Sequence, residues 1–277
     1  MKTLFKALFL LVLSAVIFGA AGLFIYLQFI RPQRLEQAEL AQGTPTPPPD
    51  PSLSELAKCE ALEKEGNMVE ARTAFVNFVE NNPNSTRIED AKNELGAINV
   101  SIFFSPDPSP EKQEYSVQKG DVLMKIATKM KTTSELIMRS NNMSGTMLHI
   151  GQRLLISQPK FSIIISRKEK KVTLLDDGKF FKQYAAISWD APPPRTSAPL
   201  SGRVREKIAW RNGQEVGLGS KDYEGSARWV EVGVADYTLY SKGEDNAAKP
   251  AGGIELSQDD MEELSTLLNK NIPVTIE

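Results

Sequence analysis

Chemistry in this chain of 277 residues is bounded by two counts: one cysteine, Cys59, and one histidine, His149. A structural zinc site needs about four clustered ligands of the Cys/His type, so this pair does not make one. A lone cysteine forms no intramolecular disulfide, and its count does not separate cytoplasm from periplasm. Cys59 falls in the middle of a helical stretch and reads as a small buried hydrophobe. Between residues 161 and 277 there is neither cysteine nor histidine, so a thiolate mechanism has no residues to use there. The remaining pairing in that region is Ser241 or Ser257 with a lysine such as Lys242. A bare serine–lysine pair specifies little, and Ser257 has a simpler role as a helix cap. No metal or cofactor is expected. A formal net charge of -2, with 25% charged residues, supplies no electrostatic footprint for nucleic acid.

The elements that could position a binding site are clearest over Tyr115 to Ile156. Lys119-Gly120 is a turn, with Asp121 placed to cap a helix from Val122 to about Lys129, with Val122, Leu123, Ile126 and Met130 at helical spacing. Thr132 and Glu135 have capping-box spacing for a second helix, Thr133 to about Ser140, which buries Leu136 and Ile137. Asn141-Asn142 ends it, and Gly151 opens a strand from Arg153 to Ile156. The unit is strand–helix–helix–strand.

That pattern closely resembles the LysM (lysin motif) family. The matching residues are Tyr115, Val117, Gly120-Asp121, Leu123, Ile126-Ala127, Asn141-Asn142, Ile150-Gly151-Gln152, Leu154 and Ile156; Met124 departs from the polar or aromatic residue of many relatives. The resemblance implies binding of N-acetylglucosamine-containing glycans, chiefly peptidoglycan and chitin. It implies a shallow site between two loops, Gly120, Asp121, Val122 and Leu123 on one side and Met147, Leu148, His149, Ile150 and Gly151 on the other. Backbone amides there would meet sugar hydroxyl and acetamide groups, and apolar side chains would cover the acetyl methyl. His149 beside that site is read equally as a ligand contact or as an exposed loop residue.

Upstream, residues 7–30 run 24 positions without a charge. At 1.5 Å per residue this spans about 36 Å, enough for a hydrocarbon core of roughly 30 Å. The stretch Phe18-Gly19-Ala20-Ala21 offers small residues that suit a cleavable signal peptide, but the apolar run continues through Leu27, favouring an uncleaved anchor. Flanking positive charges tie and do not orient it. Residues 37–52 carry a proline-rich spacer, semi-extended at about 3.1 Å per residue. Residues 53–104 read as helices. Gly66, Ala71, Phe75, Phe78 and Pro83 resemble the second helix of a tetratricopeptide repeat, with Ser85 capping a third helix through Ile88, Ala91 and Leu95. One such repeat cannot bury its own apolar face, so it packs on the downstream domains or docks a partner protein.

The last segment is β-rich. Strands are expected at Phe161–Ile165, Lys171–Leu175 and Phe180–Ile187, the last two joined by a tight turn at Asp177-Gly178. Val204–Trp210, Arg228–Val234 and Tyr237–Tyr240 follow, then a helix capped by Ser257 with Met261, Leu264, Leu267 and Leu268 on one face, and a last strand Val274–Ile276. Trp210 and Trp229 suit a core, and Trp189 a groove. The opening hairpin, the turn at Thr196–Gly202 and the ending Gly252-Gly253-Ile254-Glu255-Leu256-Ser257 resemble the L,D-transpeptidase catalytic domain, a cysteine-dependent fold that makes peptidoglycan crosslinks. The resemblance puts Gly253 at the nucleophile, Glu255 at the family's arginine, and Tyr240 or Ser241 near its histidine. A degenerate, non-catalytic site is therefore expected, with no catalytic residue. On this reading Gly253→Cys folds, because the hairpin, capped helix and last strand do not depend on the missing groups, and stays inactive.

The expected fold is α+β and multidomain: 1–34 a membrane-spanning anchor, 35–52 a linker, 53–104 a tetratricopeptide-like helical segment, 105–113 a linker, 114–158 a βααβ LysM module, and 161–277 a mostly β, degenerate L,D-transpeptidase-like domain. The expected function is non-catalytic binding of peptidoglycan glycan strands by a single-pass protein of the inner membrane, its bulk in the periplasm. The alternatives are a cell-wall enzyme with a non-standard nucleophile, or an adaptor that binds a protein partner through residues 53–104.

Overall fold

The computed structural model describes residues 50–193, 198–234, 237–244, 250 and 252–277, with short pieces at 19–20, 22–24 and 26–31. The chain divides into two units, residues 1–50 and 51–277. In the first, the described residues include a π-helical turn, Tyr26–Ile30. Among the described residues no helix is long and apolar enough to cross a membrane. Most of the apolar run 7–30, and the proline-rich tract up to Pro49, lie outside them.

The second unit holds three cores that follow the sequence divisions. Helices α1 (Leu53–Lys64), α2 (Met68–Asn81) and α3 (Ile88–Phe104) enclose Leu56, Cys59, Ala71, Phe75, Phe78, Ala91, Leu95, Ile98 and Ile102. Burial pushes the Cys59 thiol pKa up, in keeping with a packing role. The expected cap Ser85 lies two residues before the observed N-cap, Arg87. Its hydroxyl instead accepts from Arg87 N at 3.3 Å and from Ser52 Oγ at 2.8 Å.

Strands β1 (Lys112–Ser116) and β2 (Arg153–Ser157) pair antiparallel around helices α4 (Leu123–Lys129) and α5 (Ser134–Ser140). Their core is Val117, Leu123, Ile126, Ala127, Met130, Ile137, Leu154 and Ile156. β1 begins inside the expected linker because Lys112 pairs with Ser157. Asn141 ends α5 for a visible reason. Its side chain donates to the carbonyls of Ile137 and Leu155 at 2.8 and 2.9 Å and accepts from Leu155 N at 2.7 Å, tying the helix end to β2.

The C-terminal domain has two sheets and one helix. β3 (Phe161–Ser166), β4 (Lys171–Asp176), β5 (Lys179–Ala185), β7 (Leu200–Arg203) and β13 (Pro273–Ile276) form one sheet in the order β5-β4-β3-β13-β7. The other runs β6-β12-β11-β10-β8-β9, with β6 at Ser188–Trp189, β8 at Glu206–Arg211, β9 at Gln214–Glu215, β10 at Ala227–Glu231, β11 at Thr238–Tyr240 and β12 at Gly253–Glu255. Both sheets and helix α6 (Gln258–Leu267) enclose a common core that includes Ile163, Leu174, Val230, Leu239, Ile254 and Leu264. Asp177 and Gly178 both have positive φ, 50° and 79°, as the tight β4–β5 turn requires. Ser257 Oγ accepts from Asp260 N at 3.1 Å and caps α6 as expected.

Two expectations fail here. The end of the turn expected at Thr196–Gly202 is strand instead, since Leu200–Arg203 pairs with β13; residues 194–197 lie outside the described set. Val204 is not in a strand: its N–H and C=O bond to Ile272 and Asn271, and β8 starts only at Glu206.

Helix α3 joins the helical segment to the β domain, so packing on the domain downstream is what the structure shows. A register shift at Leu174/Leu175 leaves Phe181 out of the β4–β5 pairing. A bulge of this kind exposes a backbone carbonyl that needs a donor. Asn99 supplies it, its buried Nδ2 donating to Phe181 O at 2.7 Å. Phe103, Phe161 and Phe181 stack around the junction with ring centroids 4.9 to 6.1 Å apart. Asn99→Ala leaves that carbonyl unpaired and should cost about 1–3 kcal/mol. Denaturant unfolding that gives the same midpoint for both proteins would contradict it.

Candidate functional site

Between the two LysM loops lies an open groove of about 520 Å³ lined by Asp121, Val122, Leu123, Met124, Ser134, Thr146, Met147, Leu148 and Leu218. The first loop turns at Gly120, with φ of 89°. Asp121 does not cap α4 as expected; the helix starts one residue later, so Val122 is the N-cap. The Asp121 carboxylate points back and accepts from Gln118 N and Tyr115 Oη, each at 2.8 Å. Those two donors, the backbone N–H first, hold its pKa below the usual value. Asp121 thus braces the loop against the end of β1. The second loop closes through Gly151 N to Val117 O at 2.8 Å, and His149 O accepts from Gln152 N at 3.0 Å.

Five of the nine predicted residues line the groove: Asp121, Val122, Leu123, Met147 and Leu148. Leu123 does so as a core residue. Gly120, His149, Ile150 and Gly151 do not line it; the two glycines shape the turns, and His149 and Ile150 are exposed. Its exposed lining is apolar: Met124 and Met147 are 72% and 78% exposed. Sequence reasoning treated Met124 as a departure and did not see Leu218, which comes from the β domain 70 residues after Leu148 and has no local signal.

Helix α5 fixes this module to the β domain. Thr133, not Thr132, is the N-cap, accepting from Leu136 N at 2.9 Å and donating to Thr266 O at 2.5 Å. With the cap one residue later, Glu135 cannot close the expected box. It is instead largely covered, at 12% side-chain exposure, ion-paired to Lys207 at 2.8 Å and accepting from Tyr223 Oη. Burial alone would raise the Glu135 pKa; the Lys207 ammonium and the Tyr223 hydroxyl outweigh it and hold the pKa below its usual value. A depressed folded-state pKa gives stability that is complete above the unfolded value and lost as pH falls through the folded one. Unfolding stability should therefore drop from about pH 5 toward pH 3, and Glu135→Gln should flatten that drop. Parallel pH curves for the two proteins would contradict it.

The positions expected to be a degenerate active site come together at the β11–β12 pair. These strands run parallel, with Tyr240 opposite Glu255 and Thr238 opposite Gly253. A Cβ on Gly253 would lie 2.6 and 2.7 Å from the Tyr240 ring and 3.0 Å from Pro250 Cγ. The Tyr240 ring therefore fills the space that a side chain at 253 would use. Its hydroxyl donates to Glu255 Oε2 at 3.3 Å, and Lys242 pairs with Glu255 Oε1 at 2.9 Å. Burial and the adjacent carboxylate push the Tyr240 phenol up to about 12. Ser241 is buried and accepts from Arg228 N at 3.1 Å, while Ser257 is occupied as the α6 cap. A side chain added at 253 must therefore displace the Tyr240 ring, a cost that the sequence alone does not show. Overpacking against an aromatic ring typically costs about 1–3 kcal/mol, so both Gly253→Ala and Gly253→Cys should lower the denaturation midpoint. An unchanged midpoint for Gly253→Ala would contradict this packing.

Residues 115–157 match the LysM domain. The resemblance read from Tyr115 to Ile156 is borne out over its whole length. No curated protein matches the chain. Similar solved structures include an L,D-transpeptidase from Mycobacterium smegmatis, 11% identical, with TM-score 0.29, covering 47% of this chain and 64% of that one. The L,D-transpeptidase from Xylanimonas cellulosilytica is 10% identical, with TM-score 0.29, covering 62% of this chain and 100% of that one. A fused Zn-dependent amidase/peptidase/peptidoglycan-binding protein from Clostridium acetobutylicum is 17% identical, with TM-score 0.29, over 43% of this chain and 52% of that one. The chain spans about half to two thirds of the length of most of these structures.

Proposed function

We propose that this protein is a membrane-anchored, non-catalytic peptidoglycan-binding protein of the cell envelope, held by its apolar N-terminal run with residues 51–277 outside the cytoplasm. The observation that carries the reading is the LysM match at 115–157 with its exposed apolar groove. Val122, Met124 and Met147 suit the acetyl methyl of N-acetylglucosamine, and the flanking loops bring backbone groups to its hydroxyls. The charge-free run 7–30 supports the anchor, and the ligand of the groove supports an extracytoplasmic location. For the C-terminal domain, the lack of cysteine and histidine supports binding without catalysis. The packing of Tyr240 on Gly253 supports the same reading, since it leaves no room there for a nucleophilic side chain.

Purified protein should sediment with peptidoglycan sacculi, with an affinity in the micromolar to millimolar range expected of one shallow site. Met147→Glu places a charge on the apolar lining and should cut retention about tenfold. No sedimentation at high protein concentration would refute glycan binding. Incubation with muropeptides bearing tetrapeptide stems should yield no new crosslinks or trimmed stems by mass spectrometry, and either product from the wild type would refute the non-catalytic reading.

A further inference from the structure

Leu218 is a wall of the LysM groove and also of two smaller cavities, each of about 170 Å³, between α5 and the β domain. It stands on the loop from β9 to β10, half-buried, with Gly219 beside it at φ 93°, where a side chain would be strained. Arg228 lines both smaller cavities from strand β10. Its side chain is buried, at 5% residual exposure. The guanidinium stacks on the Tyr223 ring at 3.6 Å and donates from Nη2 to Tyr223 O at 2.9 Å. Nε and Nη1 have no hydrogen-bond partner. Four carboxylates share these walls, Glu135, Glu215, Glu224 and Glu262, and two of them are engaged elsewhere. Glu135 is held by Lys207 and Tyr223, and Glu262 accepts from Gly225 N and Gln258 Nε2.

A buried cation with two unmet donors is costly unless something with acceptor oxygens fills the space beside it. Cavities that share a wall with a glycan groove place such a ligand within reach. We infer that the glycan groove continues past Leu218 onto the β domain, and that Arg228 there receives acceptor oxygens of the peptide stem carried by the glycan. This rests on the glycan reading of the LysM groove. Acidic and basic groups line these cavities in near balance, so recognition comes from directed N–H donors rather than from a positive field. Binding should accordingly change little with salt.

Calorimetry on the full chain with two probes tests it: an N-acetylglucosamine oligosaccharide, and a muropeptide of equal sugar length with a free-acid tetrapeptide stem. The stem-bearing probe should bind about tenfold more tightly, the difference expected of a hydrogen bond to a charged group. Arg228→Lys keeps the charge but removes Nε and Nη1, and should abolish the preference while the bare sugar binds as before. Since Arg228 is buried in a strand, Leu218→Asp serves as a second variant on a loop outside the core. It sets a carboxylate between the cavities and should weaken the stem-bearing probe more than the sugar. Equal binding of the two probes to the wild type would show that water alone satisfies Arg228, and would overturn the subsite while leaving glycan binding intact. A preference unchanged in both variants would overturn it as well. Binding of neither probe would overturn the glycan reading and the subsite together.

Discussion

The largely covered carboxylate of Glu135 holds the LysM module in place on the β domain. A lone carboxylate there would be strongly disfavoured; Lys207 at 2.8 Å and the Tyr223 hydroxyl make it tolerable. The interaction works in both directions. Lys207 also donates to Ser265 O at 2.5 Å, so the same ammonium binds α5 of one domain and α6 of the other. Thr133 and Asn269 add bonds across the same seam, to Thr266 O and Lys131 O. Ion pairs of this sort contribute little net stability against an apolar replacement, but they specify one arrangement because any other leaves a charge unpaired. The fixed angle between the domains brings Leu218 to the edge of the LysM groove.

Helix α3 has the corresponding role on the other side. One of its faces fills the helical core with Leu95, Ile98 and Ile102, while Val100 and Phe103 enter the β-domain core. Gly96 lets the helix approach closely, since a Cβ there would lie 2.9 Å from Lys182 Cγ. Strand β5 is an edge of its sheet, and Asn99 of α3 satisfies one of its backbone carbonyls, Phe181 O. The apolar face that a single helical repeat cannot bury alone is buried on the β domain.

What the sequence makes legible is local. The Asp177-Gly178 turn, the Ser257 cap and the LysM spacing depend on contacts within a few residues, and each is found where it was read. Errors of one residue arose where two candidates stood side by side. Thr132 and Thr133 are chemically equal caps, and the choice between them is made by Thr266 and Lys207, both more than 70 residues away. Asp121 fails as a cap for a similar reason: Tyr115 and Gln118 offer its carboxylate better donors than the helix does. The parallel pairings of β13 with β3 and β11 with β12 join distant segments and carry no periodic signal. Leu218 and Arg228 escaped for the same cause. A half-buried leucine on a glycine-flanked loop and an arginine in a strand look ordinary until a second domain is set against them.

The pair Tyr240 and Gly253 shows why a single position is hard to interpret without its neighbour. A glycine in the interior of a strand weakens it, through lost packing and greater unfolded-chain entropy. Here the loss is offset by the tyrosine on the adjoining strand, whose ring occupies the space of a side chain at 253 while its hydroxyl reaches Glu255. Glu255 in turn needs that hydroxyl and Lys242, because it is almost wholly buried. The three residues form a closed set in which each supports the next: no side chain at 253, an aromatic ring in the vacated space, and a carboxylate satisfied by the ring's hydroxyl and a lysine. Changing one leaves a clash, a void or an unpaired charge. Among the described residues, the Tyr240 ring occupies the space that a side chain at 253 would need.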